Sequence, residues 1–80
     1  MIELTVYSRP GCHLCDEMLA ELEPLVAGRA RVEVVDISQD VTLSKRFGVL
    51  IPVLMHDGEE LSRYRLDRER VSELIDSQSL

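Results

Sequence analysis

Cys12 and Cys15 are the only cysteines among the 80 residues, and they stand in the run Cys12-His13-Leu14-Cys15. A short strand-like run precedes them and an amphipathic helical pattern follows, a placement that points to chemistry at sulfur. A thiol in the first turn of a helix faces unpaired backbone N–H groups and the positive end of the helix dipole, both of which favour thiolate over thiol. Settings of this kind lower a cysteine pKa from about 8.5 to roughly 3.5–7.5. Cys12 is therefore the candidate nucleophile. Cys15, one turn deeper, is placed to attack any mixed disulfide formed on Cys12, so the pair is a reversible two-electron switch.

Other chemistries fit these residues less well. A structural zinc site needs four ligands, and beyond the two cysteines only His13, His56 and carboxylates could supply them. His13 lies inside the pair and His56 near a distant turn, so no metal is expected. His13 reads as an electrostatic neighbour that raises thiolate content when protonated, rather than as a catalytic base. Asp16 and Glu17 fall in the first turn of the helix, where negative charge complements the dipole. The bland alternative, that both cysteines are small buried apolar groups, conflicts with the exposure expected after Pro10-Gly11.

The elements that must position the pair follow from periodicity. Ile2, Leu4 and Val6 alternate with Glu3, Thr5 and Tyr7, which predicts a strand ending near Tyr7. Ser8 to Gly11 is a loop, and from His13 onward Leu14, Met18, Leu22 and Leu25 recur at helical spacing. Pro24 should end or bend that helix near Glu23, because it lacks an N–H and disfavours helical geometry in the residue before it. Gly28 closes the segment. Arg31 to Asp36, with Val32, Val34 and Val35, is expected to be a buried strand parallel to the first. Asp40 can cap a helix over Val41 to Phe47, with Gly48 as its left-handed stop. Ile51 to Met55 reads as a third strand that begins at a proline. Asp57-Gly58 signals a hairpin returning Glu60 to Tyr64 antiparallel. Asp67 then caps a final helix, with Leu66 stapling onto Val71, and Leu74 and Ile75 extending the apolar face. The order is β-α-β-α-β-β-α, an α/β chain.

A hydrophobic share of 45% with 30% charged residues is that of an ordinary globular protein, and the length suits a single domain over residues 1–80. A net charge of −6 opposes binding to a phosphate backbone, so nucleic acid is not an expected partner. Acidic residues crowd the first half (Asp16, Glu17, Glu21, Glu23), while Arg63, Arg65, Arg68 and Arg70 gather near the end; two solvated faces are the expectation. No stretch approaches a membrane span, and the first residues lack the basic and apolar regions of a signal peptide. A cysteine pair too close to staple distant elements suits a reducing cytoplasm.

Tyr7-Ser8-Arg9-Pro10-Gly11-Cys12-His13-Leu14-Cys15 resembles the active-site segment of glutaredoxins, and Gly48-Val49-Leu50-Ile51-Pro52-Val53-Leu54 resembles their later strand entry. The resemblance runs through the whole element order. It implies the minimal thioredoxin-like fold, a four-stranded mixed sheet flanked by helices, with Pro52 cis and packed beside the cysteines. It implies a thiol–disulfide oxidoreductase with Cys12 and Cys15 catalytic. Ile51 and Pro52 would bind substrate, Arg9 would hold a glutathione carboxylate, and Arg46 is a weaker match for that role. No metal or organic cofactor is required; glutathione is a possible co-substrate. The expected partners are protein or small-molecule disulfides, acting on a monomer. One departure stands out: glutaredoxins usually carry a glycine pair before the last helix, where this chain has Tyr64-Arg65, with Asp67 matching the acidic residue that follows. Two further readings remain open. One is an iron–sulfur carrier or assembly factor using Cys12, since some glutaredoxins hold a cluster between two chains. The other is a redox-inert adaptor that keeps the fold.

Overall fold

A computed structural model of the protein describes residues 1–78. The chain runs β1 (Ile2–Ser8), α1 (His13–Val26), β2 (Ala30–Asp36), a 3₁₀ turn (Ile37–Gln39), α2 (Val41–Phe47), β3 (Val53–His56), β4 (Glu59–Arg63) and α3 (Arg68–Gln78). The strands form one mixed sheet in the order β2-β1-β3-β4. β1 pairs in parallel with β2, from Ile2 opposite Ala30 to Ser8 opposite Asp36, and antiparallel with β3, where Tyr7 faces Val53. The α/β architecture and the element order expected from the sequence are both present.

Alternation along β1 divides the core between the two faces of the sheet. Leu4 and Val6 join Met18, Leu22 and Val26 of α1, Leu54 and Leu61 of the hairpin, and Val71 and Ile75 of α3. On the opposite face Ile37, Phe47 and Val53 are buried, with Tyr7, Leu43, Leu50, Ile51 and Met55 packed against them. Each fully buried side chain of this size is worth about 1.5–3 kcal/mol. Tyr7 stacks on Phe47 with ring centroids 4.4 Å apart, which makes it a packing residue of this second cluster.

Caps and turns follow local chemistry. Asp40 accepts from the Leu43 N–H at 3.1 Å, and Asp67 accepts from the Arg70 N–H at 3.1 Å, so each aspartate satisfies one orphan donor of the helix it opens. Leu66 and Val71 pack in the same cluster, as a staple requires. Asp57 and Gly58 carry φ of 52° and 82°, the pair of positive angles that a two-residue hairpin with the right twist needs. The arginines near the end are exposed, as are the acidic residues of the first half, and two of them also pair across elements: Arg68 reaches Glu21 on α1 at 3.1 Å, and Arg70 reaches Glu59 at 2.7 Å.

Several expectations are corrected. α1 continues through Pro24 to Val26. Leu22 and Val26, one turn apart and both buried, anchor the last turn to the sheet, and that burial overrides the missing N–H. β2 is an edge strand, not a buried one; none of its residues is fully buried, and Val34 is 50% exposed. Gly48 takes right-handed angles (φ −47°, ψ −39°) in place of the left-handed stop. Its smallness matters for another reason: a Cβ there would collide with the Ser44 carbonyl oxygen. Strand ends also move: β1 reaches Ser8, β2 starts at Ala30, β3 starts at Val53 with Pro52 just outside it, and β4 covers Glu59–Arg63. The last is offset by a register irregularity at Leu54/Met55.

Candidate functional site

Arg9-Pro10-Gly11-Cys12 is a β-turn closed by the Cys12 N–H donating to the Arg9 carbonyl at 3.3 Å. Proline at its second position and Gly11 at φ 78° in its third suit a type II turn, which needs positive φ there. The turn lifts the chain off the end of β1 and delivers Cys12 as the N-cap of α1. Cys12 itself is extended (φ −86°, ψ 106°), and its carbonyl takes the first helical bond, from the Asp16 N–H at 3.1 Å.

Cys12 caps with sulfur where most helices use oxygen. Its Sγ accepts from the Cys15 N–H at 3.1 Å, and the two cysteines are joined as a disulfide with Cα atoms 5.2 Å apart. Their exposures differ: Cys12 is half-buried, whereas Cys15 is 1% exposed. The outer sulfur can be reached from solvent and the inner one only through it. His13 points outward, 3.9 Å from Glu17 on the next turn, and touches neither sulfur by hydrogen bond or ion pair.

The peptide bond between Ile51 and Pro52 is cis. Because Val53 faces Tyr7 in the β1–β3 ladder, Pro52 stands opposite Ser8, at the same sheet end as the turn carrying Cys12. Pro52 is fully buried. Its carbonyl accepts from the Tyr64 N–H at 2.9 Å, while Ile51 makes no backbone hydrogen bond among the described residues. Ile51 therefore presents a free N–H and C=O beside the cysteine turn, and its side chain packs on the Phe47 cluster.

Arg9 is exposed, with one guanidinium nitrogen 3.7 Å from where a Gly48 Cβ would stand. Asp36, at the end of β2, has its carboxyl held below the ordinary value of 3.8 by hydrogen bonds from the Ser38 hydroxyl and N–H, with a smaller contribution from the Arg9 charge. Arg46 lies over the Phe47 ring, 4.8 Å from its centroid, and this contact occupies the guanidinium.

Tyr64 and Val49 were not singled out from the sequence as site residues. Tyr64 adopts φ 67° at the centre of a tight turn in which the Arg65 N–H donates to the Arg63 carbonyl at 2.7 Å. A bulky residue in that region costs on the order of 1–3 kcal/mol unless its surroundings hold it there. The Tyr64 hydroxyl donates to the Val49 carbonyl at 3.1 Å, and Val49 is 87% exposed. The signal available in the sequence was the replacement of a glycine pair at this position, without any indication of where the ring would go. On its other side Tyr64 lines a groove of about 250 Å³ with Leu14, Glu17, Met18, Glu21 and Arg65.

Residues 3–76 match the family described as Glutaredoxin-like domain (DUF836). The chain belongs to that glutaredoxin-like family. Among solved structures, the glutaredoxin-like chain is similar to protein Ne2328 from Nitrosomonas europaea, with 34% identity, 91% of this chain and 89% of that one covered, and a TM-score of 0.81. It is similar to target protein XcR50 from X. campestris at 33% identity, covering 92% and 96% of the two chains with a TM-score of 0.71. A mutant thioredoxin from Halobacterium salinarum NRC-1 shares 26% identity over 95% of this chain and 73% of its own, with a TM-score of 0.61. No curated protein matches the chain. The glutaredoxin-like thioredoxin fold, with a Cys-x-x-Cys pair at disulfide distance, is an arrangement for redox work. Among the described residues no three His, Cys, Asp or Glu side chains gather as a metal site, and no helix is long and apolar enough to cross a membrane.

Proposed function

We propose that this glutaredoxin-like chain is a thiol–disulfide oxidoreductase working by a dithiol mechanism. In the reduced form the Cys12 thiolate attacks one sulfur of a substrate disulfide. The substrate S–S bond breaks, one substrate thiolate leaves and takes a proton from water, and Cys12 is left in a mixed disulfide. Cys15 then loses its proton and attacks the Cys12 sulfur, expelling the second substrate thiol. Two electrons have passed from the cysteine pair to the substrate, and Cys12–Cys15 is oxidised.

The observation that carries this reading is the bond from the Cys15 N–H to Cys12 Sγ at 3.1 Å, combined with a half-buried Cys12 and a Cys15 that is 1% exposed. The hydrogen bond favours negative charge on the outer sulfur, and the helix dipole acts in the same sense. Burial of the inner sulfur reserves it for the resolving step. Ile51 and Pro52 bind the substrate by pairing the free Ile51 backbone with an extended segment, and Arg9 assists with an anionic group. Glutathione is a candidate co-substrate that returns the pair to dithiol, in a reducing compartment such as the cytoplasm, with the chain acting as a monomer.

The test is to alkylate the reduced protein across pH and follow each cysteine by mass. Cys12 should react at pH 6 many times faster than an ordinary thiol, with Cys15 lagging. A Cys12 that reacts no faster than free cysteine at that pH sinks the proposal.

A further inference from the structure

Tyr64 is an aromatic residue in backbone geometry that favours glycine, with φ of 67°. Two hydrogen bonds tie it to one loop: its N–H donates to Pro52 at 2.9 Å and its hydroxyl to Val49 at 3.1 Å. That loop presents Ile51 beside the turn carrying Cys12. The ring also shares a groove wall with Leu14, which lies between the two cysteines. Tyr64 thus spans both flanks of the approach to Cys12. With Tyr64 43% exposed and Val49 87% exposed, that approach has an apolar edge above a groove that also holds Glu17, Glu21 and Arg65.

We propose that Tyr64 is a specificity-determining residue for the exchange reaction proposed above, on which this inference rests. It selects a polypeptide disulfide with apolar residues beside its cysteine over oxidised glutathione as the disulfide to be reduced, which leaves glutathione its candidate role as the reductant of the oxidised pair. Glutathione carries two carboxylates and an ammonium group at the two ends of its short chain. Seated against the ring, those charges lose water. Of the charged side chains lining the groove, Glu17 and Glu21 repel the carboxylates while only Arg65 attracts them, so a net-negative ligand is disfavoured there. An apolar peptide side chain meets no such penalty and gains by covering the aromatic face. The free N–H and C=O of Ile51 pair with the extended backbone on either side of the substrate cysteine.

The experiment measures kcat/KM of the parent, Tyr64→Gly and Tyr64→Phe with two substrates: oxidised glutathione, and a short peptide disulfide with Leu and Phe flanking each cysteine. The parent should favour the peptide. Tyr64→Gly accepts the positive φ but removes the ring, and should shift the peptide-to-glutathione ratio toward glutathione by about tenfold, the scale of discrimination a pocket contact supplies. Tyr64→Phe keeps the ring and loses only the bond to Val49; it should hold the ratio within about threefold while raising KM for the peptide. Each ratio compares two substrates on one preparation, so partial unfolding of a variant cancels. An active parent that favours glutathione, or a Tyr64→Gly ratio that stays where the parent's is, overturns the role of Tyr64 and leaves the exchange reaction standing. A parent with no Cys12-dependent exchange on either substrate overturns the underlying reaction, and the role of Tyr64 falls with it.

Discussion

Asp57 and Tyr64 are the two non-glycine residues with positive φ among those described, and they flank β4 at opposite ends. Asp57 reaches φ 52° beside Gly58 in a two-residue turn whose chemistry is complete within four residues, since aspartate tolerates this region and glycine favours it. Tyr64 has no such local excuse; what holds it at φ 67° are bonds to Val49 and Pro52, a dozen or more positions back in the chain. Surroundings differ in the same way. The hairpin end borders the larger hollow, about 740 Å³, lined by Glu3, Gly28, Arg29 and Asp57 among others and by no cysteine, whereas the smaller groove adjoins the cysteine turn. Cavity size and chemistry are therefore uncoupled here, and backbone cost marks the reactive end better than volume does.

Variants can break that contrast. The largest effect is expected from Cys12→Ser at the reactive end: disulfide exchange should drop to the uncatalysed background, while the thermal midpoint of the reduced protein moves little, because Cys12 is only half-buried. A residual rate above that background would remove Cys12 from its proposed role. At the hairpin end the outcome should invert. Asp57→Ala forces an alanine into positive φ and should cost about 1 kcal/mol by denaturant titration, with the exchange rate of the folded fraction unchanged. If the exchange rate falls instead, the two ends are not separable.

The smallest effect is a pH dependence. Asp36 has its pKa depressed below 3.8 chiefly by the Ser38 hydroxyl, and Glu60 has its own below 4.5 chiefly by the Arg63 guanidinium. For a depressed carboxylate, stability is fully present above the ordinary value and is lost as pH falls through the folded one. The stability gap between the parent and Asp36→Asn should therefore be constant from neutrality to about pH 4 and close below it. A gap that widens in acid would reverse the sign and exclude the Ser38 bonds as its source.

What could be read beforehand sorts along the same line. Asp40, Asp57-Gly58 and Asp67 act through neighbours three residues away or fewer, and each does what its local chemistry dictates. The cysteine pair was legible for that reason too, since turn, cap and helix lie within one stretch. Pro24 was misread because the buried Leu22 and Val26 outvote it, a tertiary fact. The valines of β2 gave no sign of whether one or two neighbours would flank the strand, and sheet order alone makes it an edge. Tyr64 was the least legible, because its geometry depends on a loop whose path no local pattern specifies.

Both rims of the sheet are open, and each carries alternating signs of charge. Along β2, Arg31 and Glu33 are exposed, with Arg31 also 3.8 Å from Glu3; along β4, Arg63 holds Glu60 at 2.7 Å. A second molecule annealing its strand onto either rim would have to strip water from those ions or break those pairs. The sheet can thus be narrow enough to leave its reactive corner bare without inviting fibrils.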